Sequence, residues 1–528
     1  MHIDFQIGAL DREEDWTQLA ALLGGPTKVV NSVVHHLMNL RVTSYLLEGQ
    51  YIDRDYSSDY RFFYAQTFKN YQRHCKRIHF FAEDIAKIMS LADWTSRVEA
   101  LRKTSHASYC GFCVIRPLPK ASVGRTALKM RGPDGKDIES VITCRADTRA
   151  NLLGAELRIR GAMFMQQDSR VGACAQVAIW MGARHMHQRY HYNWLSVADI
   201  TKLASPNTED ESTSLPAGSD FLTSERMIRA VHEMGFQALC FRGKNIGEQI
   251  LPYVESGLPI ILGLDVPNAS IGHAVTVIGR VFSKNANPTS RPIDFIAGFI
   301  VHDDQSGPYK IIPSTPTAAK HFGFLANDII QVRTRAGDVE FNLADHGSFA
   351  MALMPVRAFS TARAAEVTAQ RRIASAFSQL ASLKALISKE GQVNPLLDEL
   401  ADAHKAGKVV LRTYLSSADG YRRHIAYGSA CDALKDVLLR LHLPHFTWVT
   451  EISSADSYNN SSAGLRRIYG HSVLDATSSG VDVTGLLMLH LPGVVFLRDV
   501  NIDDPSKAQT AVLIDDDRLY NCREKRAL

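Results

Sequence analysis

Apolar and polar positions alternate differently in three successive stretches of the chain. In the first 105 or so residues the apolar positions recur every three to four residues. "DWTQLAALLGG" and "VVNSVVHHLMNLRVTSYLLEG" both show this spacing and close on glycine, which predicts a mainly helical region. The aromatic, charged run "YIDRDYSSDYRFFYAQTFKNYQRHCKRIHFF" is expected to wedge helices together. "YCGFCVIRPLP" reads as a strand stopped by prolines, and "KMRGPDGKDIES" as a turn leading to further strands.

From residue 150 to about 358 the spacing changes. A helix is predicted over about 173–183, followed by the polar loop "SPNTEDESTSLPAGSD". "TSERMIRAVHEMG" is a helix capped by Thr223 or Ser224 and stopped by Gly235, and "IGEQILPYVESG" is another. Strands follow in "LPIILGLDV", "HAVTVIGRVF", "DFIAGFIVHDD" and "SFAMALMPVRAF". Helices first and strands later is an α+β order. Beyond Ser360 comes a long alanine-rich helix, then "NPLLDELADAHKAG" with proline in its first turn, then a mixture of strands and one more helix. The expected division is an N-terminal helical region with a short sheet (1–150), a middle α+β domain (151–358) and a C-terminal α+β domain (359–528). No repeat of solenoid period interrupts this.

Bulk properties narrow the class. At 528 residues the chain exceeds what one core usually organises. Its 45% hydrophobic and 22% charged residues are ordinary for a globular protein. A formal charge of +4 without any sustained Lys/Arg run implies no nucleic-acid partner, and "NCREKRAL" reads as a solvated tail. No stretch approaches the roughly 20 apolar residues of a membrane span, and "MHIDFQIGALDREED" has no signal-peptide pattern, so no membrane partner is expected. Eight cysteines over this length make no disulfide scaffold; a reducing cytoplasm is expected.

Three segments of the middle domain carry possible chemistry, in the order Cys, His, Asp. Cys174 opens the helix of "QQDSRVGACAQVAIWMGAR", His273 opens the strand "GHAVTVIG", and Asp303 and Asp304 close "FIVHDDQSGPY". A helix N-terminus favours the thiolate. The thiol still needs a base within reach, and the imidazole needs a third group to hold its tautomer. Each residue alone is more often structural: a small hydrophobe, a core histidine, a turn acid. Their joint occurrence on these element types favours function.

These segments resemble the papain-like cysteine peptidases, and most closely the bacterial branch that clips double-glycine leader peptides; the resemblance covers about 155–358. It implies a helix carrying the cysteine against an antiparallel sheet carrying the histidine and the acid. It makes Cys174 the nucleophile, His273 the base and then the acid, and Asp303 the group that orients the ring, Asp303 being preferred over Asp304 for its spacing to Gly307. Gln167 would serve the oxyanion together with the Cys174 amide. The chain departs from the family in placing Asp168 six residues before the cysteine, with Gln167 seven before it and Gln166 an alternative. It also has Ala175 where glycine commonly follows the nucleophile and Asp304 where proline commonly follows the acid. No cofactor and no metal are implied. No transporter segment accompanies the domain, so leader export is not the expected role.

Other chemistry-bearing residues read as structural. Cys110 and Cys113 form a CxxC with no second pair, and their odd separation on a strand puts them on opposite faces. His185, His187 and His191 lack a completing ligand, and Trp180 should pack its helix onto the sheet. Glu451, His471 and Asp475 are expected on a solvated face. The expected activity is a cytosolic cysteine peptidase cleaving a peptide or isopeptide bond of a protein or peptide substrate chosen by the flanking domains. A deamidase or transglutaminase on the same triad and an inactive protein-binding scaffold are the alternatives. The sequence carries no sign of oligomeric state.

Overall fold

The glycine-terminated helices of the first stretch form, but they lie on a sheet that the periodicity concealed. The segment read as one helix through "VVNSVVHHLMNLRVTSYLLEG" splits. The helix Lys28–Asn39 is followed by Arg41 in a left-handed φ of 57°, and the chain resumes as the strand Ser44–Tyr51. "HCKRIHFF" likewise becomes the strand Cys75–Phe81. A short apolar run fits a buried strand as well as a helix face, so spacing alone could not separate them. The first region is therefore not mainly helical. It holds a six-stranded antiparallel sheet in the order Phe5–Ala9, Ser44–Tyr51, Cys75–Phe81, Tyr109–Ile115, Val123–Leu128, Met163–Phe164.

The computed structural model describes residues 5–521 and 523, apart from 134, 136, 169, 170, 172, 206–221, 270, 271, 285, 288, 335, 336, 389–393, 460–465, 480–484 and 499–508. The fold is α+β with several antiparallel sheets. The middle sheet runs Phe236–Arg242, Gly347–Pro355, Ile260–Leu264, His273–Ser283, Ile296–Asp303, Gly307–Pro313. Ile138–Ile142 also pairs with its longest strand, His273–Ser283. The hairpin Ala146–Leu152/Ala155–Gly161 spans residue 150. The first two regions thus exchange strands, and a single hydrophobic core runs through both.

The cysteine-bearing helix extends from Cys174 to Tyr190, longer than predicted, and packs on the strand His273–Ser283. The helix Ile246–Ser256 stands between this sheet and the C-terminal one, contacting Gly347–Pro355 and His273–Ser283 on one side and Val409–Ser417 on the other.

The C-terminal sheet has the order Val409–Ser417, Phe446–Ser454, Gly470–Asp475, Leu486–Leu491, Val494–Arg498, Gln509–Leu513. Strand alternation gives it two apolar faces. Met488 and Val495 meet the helices Ala418–Tyr427 and Asp432–Leu439, whereas Leu489 and Val494 meet the alanine-rich segment and the helix Pro395–Lys405. The alanine-rich segment is two helices, Ala362–Ser378 and Leu380–Ile387.

A buried ion network joins this unit to the middle sheet. Glu255 pairs with Arg280 and with Arg412 (2.5 Å), and Arg412 with Glu451 (2.7 Å). Among the described residues, no helix is long and apolar enough to cross a membrane.

Candidate active site

Small residues open the cysteine helix. Its N-cap, Ala173, is extended and offers no side-chain cap. The first-turn N–H groups have no intrahelical partner, so the positive end of the helix dipole falls at Cys174. The thiol lies at the edge of the core, 8% exposed. A cross-brace holds it to the next element: Thr276 Oγ1, on the histidine strand, donates to the Ala178 carbonyl of the cysteine helix at 2.9 Å.

His273 begins its strand opposite this helix, and Asp303 ends the neighbouring strand, so antiparallel pairing brings acid to ring. His273 Nε2 stands 2.8 Å from Asp303 Oδ1. Cys174 stands near enough to the same ring to favour its charged form. Nδ1, the nitrogen away from Asp303, has the Gln305 side-chain amide at 3.4 Å. Burial works against a charged imidazole. The charge and hydrogen bond of Asp303, the Cys174 side chain and the charge of Asp304 outweigh it, holding the His273 pKa well above its ordinary value. Burial likewise opposes the Asp303 carboxylate, but His273 keeps its pKa below the usual range.

Strand alternation predicts that only one of the two adjacent acids faces His273. The structure differs, because the strand ends at Asp303 and Asp304 already belongs to the turn. One ligand atom each of His273, Asp303 and Asp304 lies within 4.8 Å of the others. Asp304 is fully buried, neither of its oxygens has a hydrogen-bond partner, and burial pushes its carboxyl up to about 7 despite the opposing pull of His273.

The turn is completed by Gly307, whose φ of +119° suits glycine and whose missing Cβ leaves room for Ser32 of the helix Lys28–Asn39. His36 of that helix stacks on Tyr309 at 4.6 Å.

The two glutamines ahead of Cys174 separate clearly. Gln166 is committed to structure: its Oε1 accepts from the Val123 amide and its Nε2 donates to the Lys120 carbonyl. Gln167 is half-buried and makes no hydrogen bond to a described residue. Asp168, the next residue, anchors the loop, accepting from Tyr64 Oη (2.5 Å) and from the Val171 amide (3.0 Å).

Trp180 does not simply seat the helix on the sheet. Its Nε1 donates to Asp55 of the helix Arg54–Phe62, which also pairs with Arg184. The N-terminal region therefore braces the cysteine loop, the cysteine helix and the acid turn.

Sequence reasoning missed these braces because Tyr64, Asp55 and Ser32 carry no local mark of the site they touch. Gln305 was in plain view after the acid pair, hidden by the ordinary turn composition of "DDQSG".

The remaining residues are structural, though not always as expected. Glu451 and His471 are buried rather than solvated, because the second face of their sheet is covered. Asp475 caps a turn through the Thr477 amide. His185 bonds the Gly257 carbonyl and His187 the Tyr192 carbonyl, while His191 ends the helix with a φ of 60°. Cys110 and Cys113 are buried thiols. Cys522 lies outside the described residues. Comparison of the chain with protein-family models and with curated proteins finds no match.

Proposed function

We propose that residues 151–358 form a papain-like thiol hydrolase domain acting on a peptide or isopeptide bond, with Cys174 as nucleophile, His273 as base and then acid, and Asp303 as the orienting group. One observation carries this reading: the buried His273 imidazole, bonded through Nε2 to the strand-end carboxylate of Asp303 at 2.8 Å, is also within the influence of the thiol that opens the cysteine helix. With Nε2–H donated to Asp303, Nδ1 is the nitrogen that takes the thiol proton, and the carboxylate favours the charged ring that results.

Sγ then attacks the scissile carbonyl, and the oxyanion meets the Cys174 amide and the uncommitted Gln167. The proton on Nδ1 passes to the leaving amine, and water releases the acyl group by the reverse steps. Free thiols on the seven described cysteines suit a reducing cytosol. The terminal regions would present the protein substrate.

The test is turnover of a peptide library by wild type and by Cys174→Ala. Wild type should release free peptide ends, and the variant should release none while keeping its melting temperature. Retained activity in the variant refutes the assignment. Incorporation of an added amine into glutamine side chains, without cleavage, would make the domain a transglutaminase instead.

A further inference from the structure

Asp304 has no step of its own in the chemistry above, yet both of its carboxylate oxygens are buried without a hydrogen-bond partner. A fully buried carboxylate without one hydrogen bond is costly to keep. Its side chain is not turned away: its oxygen, one from Asp303 and a ring nitrogen of His273 lie within 4.8 Å of one another. Asp303 Oδ2 is likewise buried without a hydrogen bond. Two carboxylates and an imidazole converging on one point are a donor set of the borderline kind that Zn²⁺ and Co²⁺ accept. Zn²⁺ takes such donors at about 2.0–2.2 Å, so the three atoms would close on the ion from mutual separations that are now within 4.8 Å, with water taking the fourth position.

We propose that His273, Asp303 and Asp304 form a divalent transition-metal site, best suited to Zn²⁺, whose occupation switches off the thiol chemistry. The second half of this statement rests on the hydrolase reading; the first does not. The ion would take the place of the proton shared between His273 Nε2 and Asp303, and that proton leaves to solvent. An imidazole whose Nε2 lone pair is on a metal keeps its hydrogen on Nδ1. It then has no lone pair for the Cys174 proton, and the sulfur stays a thiol.

The probe is Co²⁺, added to the full-length protein and followed by its visible d–d absorption, with Zn²⁺ competition. Wild type should bind one equivalent at this site without a sulfur-to-cobalt charge-transfer band, and Cys174→Ala should bind equally. Asp304→Asn should lose affinity by about 100-fold, as loss of a direct ligand exceeds the cost of disturbing an outer-shell partner. No cobalt spectrum in wild type, unchanged affinity in Asp304→Asn, or loss of binding in Cys174→Ala each overturns the site. These readouts need no turnover, so they separate from failure of the hydrolase reading. If Co²⁺ binds as expected and wild type is a hydrolase, one equivalent of Zn²⁺ should abolish its activity and a chelator restore it. A fully active zinc-loaded enzyme overturns the switch.

Discussion

The middle and C-terminal regions contain the same two ingredients in different arrangements. Each has a cysteine at a helix N-terminus with the same 8% exposure: Cys174 begins the helix Cys174–Tyr190, and Cys431 caps Asp432–Leu439. Each also has a buried histidine whose Nε2 meets an aspartate at 2.8 Å, His273 with Asp303 and His490 with Asp517. In the middle region the far nitrogen, Nδ1, has only a long contact with the Gln305 side-chain amide, at 3.4 Å.

In the C-terminal region His490 Nδ1 is taken by Tyr520 Oη at 3.1 Å. That hydroxyl continues to His471 Nδ1 (2.5 Å), whose Nε2 meets Tyr421 Oη (2.8 Å). One consistent set of protons runs from Tyr421 through His471, Tyr520 and His490 to Asp517, so every ring nitrogen is used. Cys431 meanwhile points at the Asp515 carbonyl. A His–Asp pair becomes a candidate for catalysis only when its other nitrogen is left for a reacting partner. When that nitrogen is saturated, the same pair is a structural clamp.

The sharpest break of this comparison is thiol labelling. With equal exposure and neighbouring positions at a helix N-terminus, burial and dipole predict similar reaction with iodoacetamide at neutral pH. The histidine predicts that Cys174 reacts on the order of a thousand-fold faster, since only there can a base take the proton. Peptide mapping of a time course decides it, and equal rates at Cys174 and Cys431 would remove the functional difference.

Next is the orienting acid. Loss of the aspartate in a serine triad costs about four orders of magnitude. A thiol–imidazole pair is partly self-sustaining, so Asp303→Asn should lower kcat by about 100-fold. The matching change in the other pair, Asp517→Asn, should leave kcat unaltered.

The clamp should show itself in stability. His490→Ala leaves the buried Asp517 carboxylate with the Gly493 amide but without its imidazole, and cuts the hydrogen-bond chain, which should cost about 3 kcal/mol by chemical denaturation. It should leave Cys174 labelling as in wild type. A loss of labelling would mean that the clamp is coupled to the candidate site across the packed boundary of the two regions.

Acid should act more mildly on both flanks. Burial lowers His79 in the N-terminal region to about 4 and His424 in the C-terminal region to about 3, the latter helped by the charges of Arg523 and Arg412. Each is depressed from 6.5, so the unfolded chain binds protons that the folded one refuses. Stability is then full above about pH 6.5 and declines as the pH falls toward the folded values. Between pH 7 and 5 the loss should be on the order of 2 kcal/mol per imidazole. A denaturation series over that range measures it, and His79→Gln should remove one imidazole's share of the N-terminal contribution, leaving that of His36, which burial also lowers to about 4.

The elements that support the candidate site were largely legible in the sequence, for physical reasons that are local. A small-residue helix start, a strand opening on histidine and a strand closing on acids are set by propensity and periodicity over a few residues. The strands of the middle sheet and the caps at Thr223 and Gly257 follow from the same rules. Short apolar runs are different. Whether "RVTSYLLEG" extends a helix or starts a strand depends on what covers it, and the answer was a sheet on which the N-terminal helices lie.

By itself, then, the sequence determined an α+β chain, the helix and strands of its middle region, and the three residue types that could act together. Only the tertiary structure decided which nitrogen faces which acid, that Gln166 is tied down while Gln167 is not, and that Asp304 joins the cluster from the turn. It also decided that the two histidine–aspartate pairs differ. The reason is that hydrogen-bond saturation of a buried side chain depends on neighbours far away in the chain. Tyr520 lies 30 residues from His490 and Ser32 lies far from Gly307, and no local pattern encodes their meeting.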